Sequence, residues 1–207
     1  MAIFKNHLAR TLPALALVGL FLLAGCGDST SGGSSSDGSS STASSGAADS
    51  SATNTLTSFT AEGLDGKTYS QDYFAQYDLT IVQIWGTFCS PCIREMPDMV
   101  AVSQQYADQK VGIIGIVIDT TDVDANVLED ELDAAKKIVK ETGADGFPHL
   151  IPSKSLIQSK LQYVTGTPET VLVDKTGKAV KIITGMRTQA QLRNELDAAL
   201  QKVAQNG

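Results

Sequence analysis

The sequence predicts a mixed α/β fold, and three observations carry the prediction. Residues 79–85 (LTIVQIW) and 111–118 (VGIIGIVI) are apolar, β-branched runs of the kind that form strands buried on both faces. Between them, from residue 91 to about 106, apolar residues at 93, 96, 99, 100 and 102 follow helical spacing. Strand, helix and strand in this order predict a right-handed βαβ unit. Further on, residues 169–174 (ETVLVD) and 178–184 (KAVKIIT) flank the turn Lys175-Thr176-Gly177 and read as an antiparallel pair.

The first 25 residues follow a different rule. Lys5, His7 and Arg10 precede an apolar run over residues 12–24, the charge-then-apolar order of an export signal. The run is short for a membrane span, which needs about 20 residues. It ends in small residues before Cys26, which resembles the lipobox of bacterial lipoproteins. That resemblance implies cleavage before Cys26 and a lipid anchor on it, placing the chain outside the cytoplasm at a membrane. Residues 27–54 are almost all Ser, Gly, Thr, Ala and Asp, with no apolar periodicity, and are expected to form a flexible linker. Such a coil spans roughly 30 Å root-mean-square. The expected organisation is a signal over 1–25, Cys26 and linker over 26–54, and a folded domain over 55–207.

Within the domain, Leu64-Asp65-Gly66-Lys67 supplies a turn between two short extended pieces over 58–69, a small hairpin. After the βαβ unit, Leu128, Leu132, Ala135 and Val139 form a helical stripe. The acids Glu129, Asp130, Glu131 and Asp133 precede Lys136, Lys137 and Lys140, an order that complements the helix dipole. Gly143 is its expected stop. The last helix starts at Thr188 with Gln191 as a capping box and carries Leu192, Leu196, Ala199 and Val203 on one face. The domain has 20 acids and 14 bases, a net charge of −6, and the whole chain −7. Without clustered Lys and Arg, nucleic acid is excluded as a partner.

The chemistry concentrates in residues 85–97, WGTFCSPCIREMP, whose two cysteines are the only ones besides Cys26. A pair spaced this way either binds metal or exchanges electrons. A closed zinc site needs four ligands, and the domain offers this pair and one histidine, His149. A purely structural disulfide across so short a loop stabilises little. The pair stands where a buried strand gives way to a helix, and a helix N-terminus favours a thiolate. Cys89 is therefore the expected nucleophile and Cys92, one turn in, the resolving thiol. Pro91 suits the first helical turn.

This motif resembles the WGTWCxPCxxEMP pattern of the TlpA/ResA group, membrane-anchored, extracytoplasmic thioredoxin-like proteins, and the resemblance extends over about residues 55–205. It implies a thioredoxin fold with an added N-terminal β-hairpin and a helical insertion after the second core strand. It also implies thiol–disulfide exchange with the thiols and disulfides of exported proteins, in cytochrome c maturation or repair of oxidised thiols. Electrons would come from a membrane donor of the CcdA or DsbD type. No cofactor beyond the redox-active Cys89/Cys92 pair is implied, and a monomer is expected.

Position by position, Cys89 corresponds to the exposed nucleophile, Cys92 to the buried partner and Glu95 to the group's active-site glutamate. Gln83 stands where thioredoxin has a buried aspartate and cannot accept a proton, which leaves Glu95 as the acid–base group. Residues 165–170, TGTPET, resemble the second signature of the family, the cis-proline loop, with Pro168 cis and the Thr167 backbone offered to an extended partner segment. Phe88 replaces the usual tryptophan. Trp85, Phe88, Ser90, Pro91 and Thr167 are the expected partner-contacting set, with Trp85 readable equally as core. Pro97 removes an amide donor inside the first helix.

Other readings are weaker. A peroxidase would carry Pro-x-x-x-Thr-x-x-Cys, which neither cysteine has. A copper-binding chaperone of similar outline spaces its cysteines by three rather than two residues, and a disulfide-forming oxidant remains the alternative direction of electron flow. Asp122, Asp124 and Asn126 alternate like the start of a calcium loop, but the glycine that such a loop requires is Val127. His149 reads as a structural histidine.

Overall fold

The computed structural model describes residues 56–206, so the signal, Cys26, the linker and their boundaries lie outside the described residues. The chain enters with the hairpin β1 (Thr60–Glu62) and β2 (Thr68–Ser70), paired antiparallel with Thr60 opposite Ser70. Its turn needs Gly66, at φ 75°, where a side chain would be strained. Asp65 Oδ1 closes it by accepting the Lys67 N–H at 3.2 Å.

β3 (Leu79–Trp85), α1 (Ser90–Gln105) and β4 (Val111–Val117) form the βαβ unit, with Leu79 opposite Val111 and Trp85 opposite Val117 in parallel register. α2 (Glu129–Glu141) follows as the insertion, with Leu132, Ala135 and Val139 buried as the stripe requires. β6 (Glu169–Asp174) and β7 (Ala179–Thr184) pair antiparallel, and α4 (Gln189–Asn206) closes the chain. The capping box forms as expected: Thr188 Oγ1 accepts the Gln191 N–H at 3.3 Å, and Gln191 Oε1 accepts the Thr188 N–H at 3.0 Å. To these the structure adds β5 (His149–Leu150) and α3 (Lys154–Ser159), two elements too short to show a period in the sequence. The sheet order is β5-β4-β3-β6-β7, the thioredoxin arrangement, with β3 at the centre.

Side-chain alternation divides the core in two. Leu79, Ile81 and Trp85 of β3 face α1, α2 and α4, meeting Cys92, Met96, Met99, Val139, Leu192 and Leu196. Val82 and Ile84 face the other way, onto Leu56, Phe59 and Phe74 from the N-terminal segment and Leu156 from α3. Each fully buried side chain of this size contributes about 1.5–3 kcal/mol by leaving water. Gln83 shares the parity of Leu79, Ile81 and Trp85, so its amide is carried to the α1 side. The hairpin is fastened to the sheet edge by Leu64 N–H to His149 O and Ile151 N–H to Glu62 O, both 2.8 Å. Among the described residues no helix is long and apolar enough to cross a membrane.

Candidate active site

β3 ends at Trp85, and a four-residue turn delivers the chain to α1, with Cys89 N–H returning to Gly86 O at 3.0 Å. Cys89 is thereby the N-cap of α1, and its Sγ accepts the Cys92 N–H at 3.3 Å. That bond uses one of the amides that a helix N-terminus leaves free, the interaction that favours sulfur charge at this position. Cys89 and Cys92 are joined as a disulfide with Cα atoms 5.3 Å apart. Cys89 keeps 4% of its surface exposed and Cys92 none, so the order of access is the expected one, though Cys89 is itself largely covered in the oxidised state.

The Thr167–Pro168 bond is cis. β3 and β6 pair with Ile84 opposite Glu169, so one step further along the register brings Pro168 level with Trp85, at the sheet end that carries the disulfide. Pro168 O accepts the Gly185 N–H at 2.8 Å, and two residues on, Arg187 N–H donates to Glu95 Oε1 at 2.7 Å. The β7–α4 loop thus joins the cis-proline loop to α1. Arg187 had no signal in the sequence, because its contact uses a backbone amide 92 residues from Glu95.

Glu95 is buried, with 1% of its surface exposed. Burial pushes its carboxyl above the usual glutamate range, and the Arg187 amide, the Arg187 charge and the Gln83 amide oppose that push only in part, while Asp98 adds to it. Gln83 is near enough to favour the charged form but makes no hydrogen bond, and Glu95 Oε2 has no partner among the described residues.

The partner-contacting set divides. Phe88 is 68% exposed beside Cys89, Ser90 is exposed, and Pro91 and Thr167 are half-buried, so all four are reachable. Trp85 is not: it is fully buried, and its reading as a wall of the partner groove is corrected to core. Its indole Nε1–H donates to His149 Nδ1 at 3.2 Å, with the rings edge to face at 5.7 Å. Indole nitrogen only donates, so Nδ1 is the unprotonated nitrogen and Nε2–H donates to Ala144 O at 3.0 Å. Gly115 makes room for the ring, since a Cβ there would stand 2.2 Å from Nδ1. Burial pushes the imidazole down to about 4 from its ordinary 6.5. The unfolded chain therefore takes up a proton that the folded chain refuses. This contribution to stability is whole above pH 6.5 and falls by about 3 kcal/mol between pH 6.5 and 4. Urea unfolding of His149→Gln should show a shallower loss of stability over that interval, and an unchanged slope would contradict the assignment.

Among the described residues no group of three or more His, Cys, Asp or Glu is placed to hold a metal ion.

Comparison with known proteins agrees with this geometry. The AhpC/TSA family matches residues 52–182. A thiol-disulfide oxidoreductase ResA of Bacillus thuringiensis subsp. konkukian (strain 97-27) is 32% identical over 139 residues, covering 67% of this chain and 73% of that protein. The ResA of Geobacillus thermodenitrificans (strain NG80-2) is 31% identical over 147 residues, covering 70% and 76%. A crystal structure of a thioredoxin-family thiol:disulfide interchange protein from Chlorobium tepidum TLS aligns over 72% of this chain and 97% of its own, with a TM-score of 0.59 and 26% identity. With its Cys-x-x-Cys pair at the N-terminus of α1 and a family match over more than half its length, the chain belongs to the AhpC/TSA family and is a thiol–disulfide oxidoreductase of the ResA kind.

Proposed function

We propose that the protein is a reductant of disulfides in exported proteins, held outside the cytoplasm by lipid on Cys26, with residues 55–207 as the working domain. In the reduced state, the Cys89 thiolate attacks one sulfur of a client disulfide, forms a mixed disulfide and releases the first client thiolate, which takes up a proton. Cys92 then loses its proton and attacks Cys89 Sγ, releasing the second client thiolate. Two electrons have passed to the client, and the pair is left as a disulfide. A membrane donor of the CcdA or DsbD type would restore the dithiol, and apocytochrome c or an oxidised repair enzyme are the clients in view.

The observation that supports the direction is the buried carboxyl of Glu95 one helical turn beyond Cys92. Its charge disfavours a second negative charge on the pair, whereas an oxidant depends on a stabilised thiolate. Equilibrating the full chain in thiol buffers tests this, with the state of the Cys89/Cys92 peptide read by trapping free thiols. A value near −270 mV, that of thioredoxin, is expected, and one near the DsbA value of about −120 mV would make the protein an oxidant. Cys26→Ser should move the chain out of the membrane fraction, and an unchanged distribution would remove the lipid anchor.

Glu95 serves as the base that takes the Cys92 proton, and the Thr167–Pro168 loop receives the client strand. Glu95→Gln should lower the exchange rate about 100-fold. It should also erase the rise in rate that the wild type shows as pH climbs through the raised value. Because the folded value lies above the unfolded one, the charge of Glu95 costs stability progressively above pH 4.5, so the same variant should be more resistant to urea at pH 7. A variant that is stabilised yet exchanges at the wild-type rate would remove the role.

A further inference from the structure

The turn before Cys89 is tied to parts of the chain that thiol chemistry does not itself require. Thr87 N–H donates to Asp119 at 2.9 and 3.1 Å, and Thr87 Oγ1 lies 2.6 Å from both Asp119 Oδ2 and Glu131 Oε2. Asp119 follows β4, and Glu131 stands in the first turn of α2. The amide serves Asp119, and the single hydroxyl proton is shared between Asp119 Oδ2 and Glu131 Oε2, so Thr87 binds both carboxylates. Both are charge-assisted bonds, stronger than neutral ones. The loop is aligned from below as well, since Ile118 N–H donates to Trp85 O at 2.8 Å. Among the described residues neither Asp119 nor Glu131 has a Lys, Arg or His partner.

We propose that Thr87, Asp119 and Glu131 are positioning residues for thiol–disulfide exchange: the Thr87 hydroxyl fastens the turn ahead of Cys89 to the insertion helix, and the two carboxylates it holds oppose charge on Cys89. The helix N-terminus draws the pair toward thiolate, and this acidic strut offsets it. Both the angle at which Cys89 is presented and the balance between dithiol and disulfide then depend on α2. Other charged groups on this side of the sheet include Glu95 and Asp98 from α1, acting in the same sense, and Arg187 from the β7–α4 loop, acting against it. The insertion is thereby part of the redox machinery rather than an appendage. The proposal rests on the oxidoreductase reading of the Cys89/Cys92 pair.

The test compares full-length wild type with Thr87→Val, Thr87→Ser and Glu131→Gln in glutathione buffers, reading the oxidised fraction of the Cys89/Cys92 peptide by differential alkylation. Glu131→Gln keeps an acceptor for the hydroxyl and removes one charge. It should shift the equilibrium toward the dithiol by about threefold or more. Thr87→Val should shift it in the same direction and slow exchange with a disulfide peptide about tenfold by releasing the turn. Thr87→Ser should restore wild-type values in both measurements. Glu131→Gln and Thr87→Val indistinguishable from wild type, or serine failing to rescue, would overturn the proposal. A wild type that forms no disulfide at any poise would instead overturn the oxidoreductase reading.

Discussion

Cys92→Ser should turn the protein into a trap. Cys89, at the N-cap with its Sγ bonded to the amide of residue 92, keeps its geometry, because that bond uses the backbone. It still attacks a client disulfide, but a serine hydroxyl cannot displace sulfur from the mixed disulfide. Incubation with a disulfide-bonded peptide should therefore yield a stoichiometric adduct through Cys89, visible on non-reducing gels and by mass. Turnover should fall by about three orders of magnitude or more. The Cys89→Ser/Cys92→Ser double variant should be no slower than Cys89→Ser alone, since groups that act as a unit do not add. A Cys92→Ser protein that turns over at the wild-type rate without added thiol would break the assignment of nucleophile and resolving thiol.

What was legible in the sequence was local. Cys89 and Cys92 stand three apart at a strand-to-helix junction, and both the pattern and its chemistry lie within one turn of helix. β3 and β4 could be read because a strand buried on both faces leaves an uninterrupted apolar run. β5 could not: two residues, His149 and Leu150, hemmed by Pro148 and Pro152, offer no period to detect, and their strand character comes from pairing with β4. Trp85 closes a run that is buried on both faces, and membership of that run, whichever its parity, is the signal that places it in the core. The supports of the site were hidden for another reason. Glu95 meets Arg187 across 92 residues, and Thr87 meets Asp119 and Glu131 across 32 and 44. Sheet order and loop closure bring these partners together, and no short-range pattern records them.

The same holds for the largest effect on stability expected away from the cysteines. Lys160, at the end of α3, reaches Glu169 in the strand position next to Pro168, with Nζ 2.6 Å from Oε1. The side chains are 2% and 6% exposed, so both charges have left water. Lys160→Met leaves the Glu169 carboxylate buried without its partner and should cost about 3–5 kcal/mol, measured by urea unfolding at pH 7. Replacing both residues, as Lys160→Met/Glu169→Leu, removes the charge together with its desolvation and should recover most of that loss. The interaction energy of the cycle should then be large, as it is for groups in direct contact. Because Glu169 adjoins the cis-proline loop, the single variant should also weaken client exchange more than its stability at working temperature accounts for, whereas the double variant should restore it. Additive losses in the double variant would mean that Lys160 acts by packing its methylene stem, and that the pair is not what holds the Pro168 end of β6 in place.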